Sequence, residues 1–185
     1  QHIAEVTAVQ REAAAGDAGG ASLGEAAAGA RTVASSGSWA PFPMGAALKG
    51  DEAELLAWLD SGGRVNATCV VDVSGVTVLM LAAGSGHERV VELLLQRGAD
   101  ANQQDSVGRT ALMTAARNGL ERVADLLLQR GAEVNQQDSV GRTALMLAAH
   151  NGHERVVDML IQRGAEIDLQ DSKGYTALVG AAYYG

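Results

Sequence analysis

Between residues 105 and 131, polar and apolar positions fall into a turn and two helical stretches. Asp105, Ser106, Val107 and Gly108 read as a turn, in which Asp bonds its own backbone and Gly takes a positive φ. Thr110 is then placed to cap a short helix running to about Asn118, with Leu112, Ala115 and Ala116 as its apolar face. Gly119 breaks the chain. Glu121 opens a second, longer helix, where a negative charge near the N-terminus is favourable. Val123, Leu126 and Leu127 are its buried stripe; Arg130 closes the last turn and Gly131 supplies a left-handed exit.

This unit recurs. The twelve residues 102–113 return unchanged as residues 135–146, a shift of 33. Gly75, Gly108, Gly141 and Gly174 are in register, as are Thr77, Thr110, Thr143 and Thr176, and Gly98, Gly131 and Gly164. Residues 105–137 match residues 138–170 at 24 of 33 positions, and residues 72–104 match 105–137 at 21 of 33. A fixed period of this length marks an array in which each helix pair buries its stripe only against its neighbours. The paired alanines are small enough for those neighbours to approach closely.

Each copy reads D-x-x-G-x-T-[AV]-L-[MV]-x-A-A-x-x-G-x-E-R-V-x-[DE], a hydrophobic run, then Q-R-G-A-[DE]-x-[ND]. This resembles the ankyrin repeat, whose signature is a turn, T-P-L-H-x-A-A, a second helix and G-A-D-x-N. The resemblance covers residues 41–185 and is most specific over 72–185. It implies an all-α fold, an ankyrin-type α-solenoid of helix-turn-helix repeats joined by β-turn loops. Two departures recur. The family's Pro is Val78, Ala111, Ala144 or Ala177, which gives up some pre-organisation at the first helical position. Its His is Met80, Met113, Met146 or Val179, which removes a polar side chain that, in the family, ties loop to helix.

The expected boundaries are a flexible Ala/Gly/Ser-rich segment over 1–40, with a frayed helix over 3–15, and repeats from 41 to 185. Within the array, 41–71 is a divergent capping repeat, 72–104, 105–137 and 138–170 are full repeats, and 171–185 is a truncated one. Asp51, Glu52, Glu54 and Asp60 suit the polar outer face of a cap. Three extra residues fall in the loop around 67–71, where Cys69 lies. The chain begins with Gln, and Gly185 is the register partner of Gly152, so the sequence reads as a piece of a larger protein. Leu178, Val179, Ala181 and Ala182 are then left without a following second helix, and the last helix is expected to fray.

Charge narrows the function. With 14 Lys+Arg against 22 Asp+Glu the net charge is −8, so bulk attraction to nucleic-acid phosphates is not expected. No apolar run approaches the ~18 residues of a membrane span, and residues 1–30 lack a signal-peptide core. The single cysteine, Cys69, rules out an intrachain disulfide and suits an intracellular, cytoplasmic setting.

Catalytic chemistry finds no foothold. His150 and His153 stand three apart across a helix break without a third ligand, so no metal site is expected. Cys69 has no nearby histidine, and nothing resembles a nucleophile elbow. The glycines follow the 33-residue period and not a phosphate-binding template, so no cofactor is expected. The window reads as non-enzymatic.

What remains is surface. The resemblance implies that turn tips and first helices line a concave groove gripping a protein partner. Val73, Ser74, Val76, Gly84 and Ser85 match those positions in the second repeat. Ser106, Val107, Arg109, Arg117 and Asn118 match in the third, and Ser139, Val140, Arg142, His150 and Asn151 in the fourth. Lys173, Tyr175, Tyr183 and Tyr184 match in the last. Arg109, Arg117, Arg142 and Lys173 make these positions basic on an acidic chain, and all three tyrosines gather at one end. Arg and Tyr are common interface anchors. The expectation is a monomer binding an acidic segment with an apolar or aromatic anchor. The alternatives are residues carried by duplication alone, a mere structural spacer, and a regulatory or targeting segment of a larger enzyme. Asn102 and Asn135 also match a position that, in ankyrin-like repeats, an asparaginyl hydroxylase modifies; a loop-bracing role is the alternative.

Overall fold

The structure, a computed structural model, describes residues 42–70 and 73–184. The segment 1–40 and its expected helix lie outside the described residues. Helices pair along the chain: α1 (Met44–Lys49) with α2 (Glu52–Asp60), α3 (Val78–Ser85) with α4 (Glu88–Gln96), α5 (Ala111–Arg117) with α6 (Glu121–Gln129), and α7 (Ala144–His150) with α8 (Glu154–Gln162). Helix α9 (Ala177–Tyr184) follows. First helices α1, α3, α5, α7 and α9 pack side by side in order, and second helices α2, α4, α6 and α8 form a parallel layer behind them. This is the all-α solenoid that the period predicts.

Local signals explain each element. Thr77, Thr110 and Thr143 are N-caps in extended conformation, and each hydroxyl accepts from the backbone N–H three residues on. Such a cap contributes about 1 kcal/mol. Helices begin at Val78, Ala111 and Ala144 without the proline. Where the family has His, Met80 offers its thioether, and the Thr77 backbone N–H donates to that sulfur at 3.5 Å. This is a weak acceptor in place of a strong one. In the first pair, the Asp51 carboxylate caps α2 through Glu54 N–H at 2.9 Å.

The core is one continuous layer between the two helix rows. First helices are buried nearly all round, through Leu79, Ala82 and Ala83, Leu112, Ala115 and Ala116, or Leu145, Ala148 and Ala149. Second helices bury one stripe: Val90, Val91 and Leu94; Val123, Ala124 and Leu127; Val156 and Leu160. Leu126, expected in that stripe, is only half-buried, and Ala124 takes the inner position. Each fully buried Leu or Val contributes about 1.5–3 kcal/mol.

The loop insertion is ordered into pairing. Strand β1 (Thr68–Cys69) runs antiparallel to β2 (Val76–Thr77), with Thr68 opposite Thr77 and Cys69 opposite Val76. Both Cys69 and Val76 are thereby buried. Burial pushes the Cys69 thiol up to about 11.

A ladder of turn tips and first-helix ends

The turn tips are built by their aspartates. Asp105 Oδ1 accepts from Val107 N–H (3.0 Å) and Arg109 N–H (2.9 Å), while Oδ2 accepts from Arg109 Nε at 2.8 Å. Asp138 does the same with Val140 N–H (3.1 Å), Arg142 N–H (2.8 Å) and Arg142 Nε (2.8 Å). Both carboxylates are almost wholly buried, and a buried charge is tolerated only when paired and hydrogen-bonded. The Asp171 tip keeps its backbone bonds to Lys173 and Tyr175 N–H, but Tyr175 stands where the arginines were.

Successive tips are joined through their backbones. Ser106 N–H donates to the Ser74 carbonyl (2.8 Å), Ser139 N–H to that of Val107 (3.0 Å), and Ser172 N–H to that of Val140 (2.9 Å). The contact is close enough to require glycine: Gly108 has φ +77, and a Cβ there would lie 2.8 Å from Ser139 N. Gln104 Nε2 adds bonds to the Gly108 carbonyl (2.9 Å) and the Gln137 carbonyl (3.2 Å). Gln137 repeats this toward Gly141 (2.7 Å) and Gln170 (3.1 Å).

A second row ties first-helix ends to the next repeat. His87 Nε2 donates to the Leu48 carbonyl (2.8 Å), and His153 Nε2 to that of Arg117 (2.9 Å). In the repeat between, Leu120 occupies the histidine's place, and Asn118 Nδ2 donates to the Gly84 carbonyl instead (2.9 Å). A third row uses Asn102, whose Nδ2 donates to the Gly131 carbonyl (3.0 Å) and whose Oδ1 accepts from Glu133 N–H (2.8 Å). Asn135 Oδ1 likewise accepts from Glu166 N–H (2.9 Å). These asparagines brace loops.

The expected binding residues divide accordingly. Ser106, Ser139, Val140, Lys173 and Tyr175 are exposed along the tips, with Val107 half-buried among them. Asn118, His150 and Asn151 are exposed at the helix ends, with Arg117 half-buried. Val76 differs from expectation: only 9% exposed, it is held inward by pairing with Cys69 and offers no side chain to a partner. The side chains of Tyr183 and Tyr184 lie outside the described residues. Arg109 and Arg142 are not loose surface cations but halves of charge-balanced pairs. The recurring D-x-x-x-R spacing was the available signal for those pairs. The reach of His153 and Asn118 across 36 and 34 residues had none.

Ankyrin repeats in a three-copy form match residues 44–138, and a single ankyrin repeat matches residues 140–172. The chain belongs to the ankyrin-repeat family. Compared with curated proteins, it finds no significant match. Ankyrin repeats in general are non-catalytic modules that bind protein partners. Among the described residues no group of three or more metal-ligating side chains converges, and no helix is long and apolar enough to cross a membrane. A depression of about 520 Å³ between α6 and α8 is lined by Arg122, Asp125, Arg155, Asp158 and Arg163 among others. Its mixed charges are unlike the mostly apolar walls of a small-molecule site.

Proposed function

We propose that this ankyrin array is a non-enzymatic binding module that grips one protein partner along its turn tips and first-helix ends. The observation that carries this is the backbone ladder from Ser74 through Ser106 and Ser139 to Ser172. Tips fixed to one another need little ordering on association, so more of the contact energy remains as affinity. The repeat boundaries taken for this array are 72–104, 105–137 and 138–170, with a divergent repeat before and a partial one after.

The chemistry of the tips refines the partner. Val140 and Tyr175 supply exposed apolar and aromatic surface at the C-terminal end of the row. Arg109 and Arg142 are neutralised by Asp105 and Asp138, so they add little net positive charge to the tips. The two braced guanidiniums act as oriented hydrogen-bond donors. The partner segment therefore carries an apolar anchor and carbonyl or carboxylate acceptors.

The test is a pull-down with the whole chain as bait beside two variants. Val140→Glu with Tyr175→Glu alters exposed tips, and Arg155→Glu alters the outer helix face. A protein held by the wild type and by Arg155→Glu, but lost from the tip variant, supports the groove. Loss from the outer-face variant alone would move the binding site to the second helices.

A further inference from the structure

The tips built on Asp105 and Asp138 are copies in geometry as well as in sequence. Residues 102–113 and 135–146 are identical. In each tip the buried aspartate accepts from the arginine Nε at 2.8 Å, which fixes the plane of a partly exposed guanidinium. Among the described residues no group other than these aspartates bonds either guanidinium, so the N–H groups turned away from the carboxylate remain as donors. Beside them stand a serine, exposed at Ser106 and Ser139, and a valine, half-buried at Val107 and exposed at Val140. Both tips lie inside the row: Ser106 N–H bonds back to Ser74, and Ser172 N–H bonds to Val140.

Spacing decides what can use both tips at once. Helices α5 and α7 pack directly side by side. Packed helices lie about 8–10 Å apart, so the same donors and the same valine recur at that interval. An extended strand turns one face outward every second residue, at about 7 Å, or every fourth, at about 13 Å, and misses it. An α-helix can present a face at about 10 Å, every seventh residue, but its carbonyls are bonded within the helix. A polyproline II segment has three residues per turn and rises about 9 Å over them, without internal hydrogen bonds. Its carbonyls i and i+3 point the same way at the interval of the tips, and so do its side chains. Duplication accounts for why the two tips share residues; it does not change what two identical faces one repeat apart can hold.

On the reading that the tips hold the partner, we propose that the segment they hold is a polyproline II stretch of a partner protein. Its carbonyls i and i+3 accept from Arg109 and Arg142, and apolar side chains of the same period lie against Val107 and Val140. Prolines set this conformation before association, which lowers the ordering cost of binding.

Three equal-length peptides titrated against the isotope-labelled whole chain test the period. In the first, an oligoproline carries lysines at every third position, all on one face, so two faces stay apolar. The second has the same composition with lysines at every fourth position, so every face is interrupted. The third keeps the lysines of the first but replaces proline by glycine and serine, which makes it a flexible coil. The first peptide should bind with a Kd of about 0.1–1 mM, shifting the amides of Ser106, Val107, Ser139 and Val140. The second and third should bind about fivefold more weakly or worse. Arg109→Lys with Arg142→Lys keeps a cation beside each buried carboxylate, so the unfolding midpoint should hold, yet it should weaken the first peptide by about fivefold. No binding of the first peptide, equal binding of the first two, or shifts confined to other surfaces would overturn the proposal. If the captured partner is still lost from the Val140→Glu, Tyr175→Glu chain, that failure sinks the polyproline II segment and leaves the tips as the binding surface. A partner retained by that chain would sink both.

Discussion

Asn118 and Asn151 occupy the same register position but bond in different directions. Asn118 Nδ2 reaches into the preceding repeat, to the Gly84 carbonyl at 2.9 Å, whereas Asn151 Nδ2 turns back to Leu147 in its own helix at 2.8 Å. The residue two places on explains the difference. His153 already serves the Arg117 carbonyl, so Asn151 is released; Leu120 has no donor, so Asn118 takes the task. Replacing Asn118 by Ala should therefore cost about 1 kcal/mol, and Asn151→Ala less, because a helix-end carbonyl has solvent as its alternative. Leu120→His beside Asn118→Ala should recover most of that loss. Urea unfolding of the three variants checks the order, and equal costs for Asn118→Ala and Asn151→Ala would contradict it.

The braced tips make a second, sharper prediction. Arg142 is partly exposed, but its partner Asp138 is almost wholly buried. Removing the arginine leaves a buried carboxylate without its cation, so Arg142→Ala should destabilise by about 1–3 kcal/mol. Arg142→Glu should cost more through like-charge repulsion. The reverse change is available at the last tip, where Tyr175 faces Asp171 without an arginine. Tyr175→Arg should add the missing brace and slow amide exchange over residues 171–175. A faster exchange there would show that the tyrosine already holds the tip.

These pairs mark the limit of what the residues reveal beforehand. Caps at Thr77, Thr110 and Thr143, left-handed glycines and the two-row helix packing all follow from local pattern repeated at 33 residues, where chemistry and spacing coincide. Val76 departs from the pattern for the opposite reason. As register partner of Arg109 it belonged on a tip, but the three-residue insertion before it pairs as β1 and turns it inward. In the sequence the arginines look like surface charge, because the aspartates four residues earlier already have a role in the turn. One carboxylate does both.

Cys69 carries a pH signature. Its thiol titrates at about 11 in the fold against 9.0 for the ordinary value, because burial disfavours the thiolate. Below pH 9 both folded and unfolded chains keep the proton, so nothing is lost. Between pH 9 and 11 the unfolded chain releases it first, and stability should fall by roughly 1.4 kcal/mol per pH unit from this group. Cys69→Ala should remove that component while costing some packing. In the native state at pH 8 the thiol should resist a thiol-reactive chromophore, reacting only once urea opens the chain. Fast labelling of the folded protein would contradict its burial.

The last helix should be the least stable of the described helices. In α9, Leu178 and Val179 are exposed, and among its described side chains only Ala177 is buried, so much of the hydrophobic contribution that holds α5 and α7 is missing there. Its Thr176 cap is also long, with Val179 N–H 3.4 Å from the hydroxyl against 3.1–3.3 Å at the equivalent threonines. A helix of this length is marginal without tertiary packing. Hydrogen exchange should therefore find the amides of residues 180–184 opening well below the global unfolding free energy, with α5 and α7 exchanging only through global unfolding. Protection in α9 equal to that in α7 would mean that packing on α7 alone suffices to hold it. Leu178→Ala separates the possibilities: at an exposed side chain it should change global stability by less than about 0.5 kcal/mol, whereas Leu145→Ala, the same residue one repeat earlier, should cost about 2–5 kcal/mol.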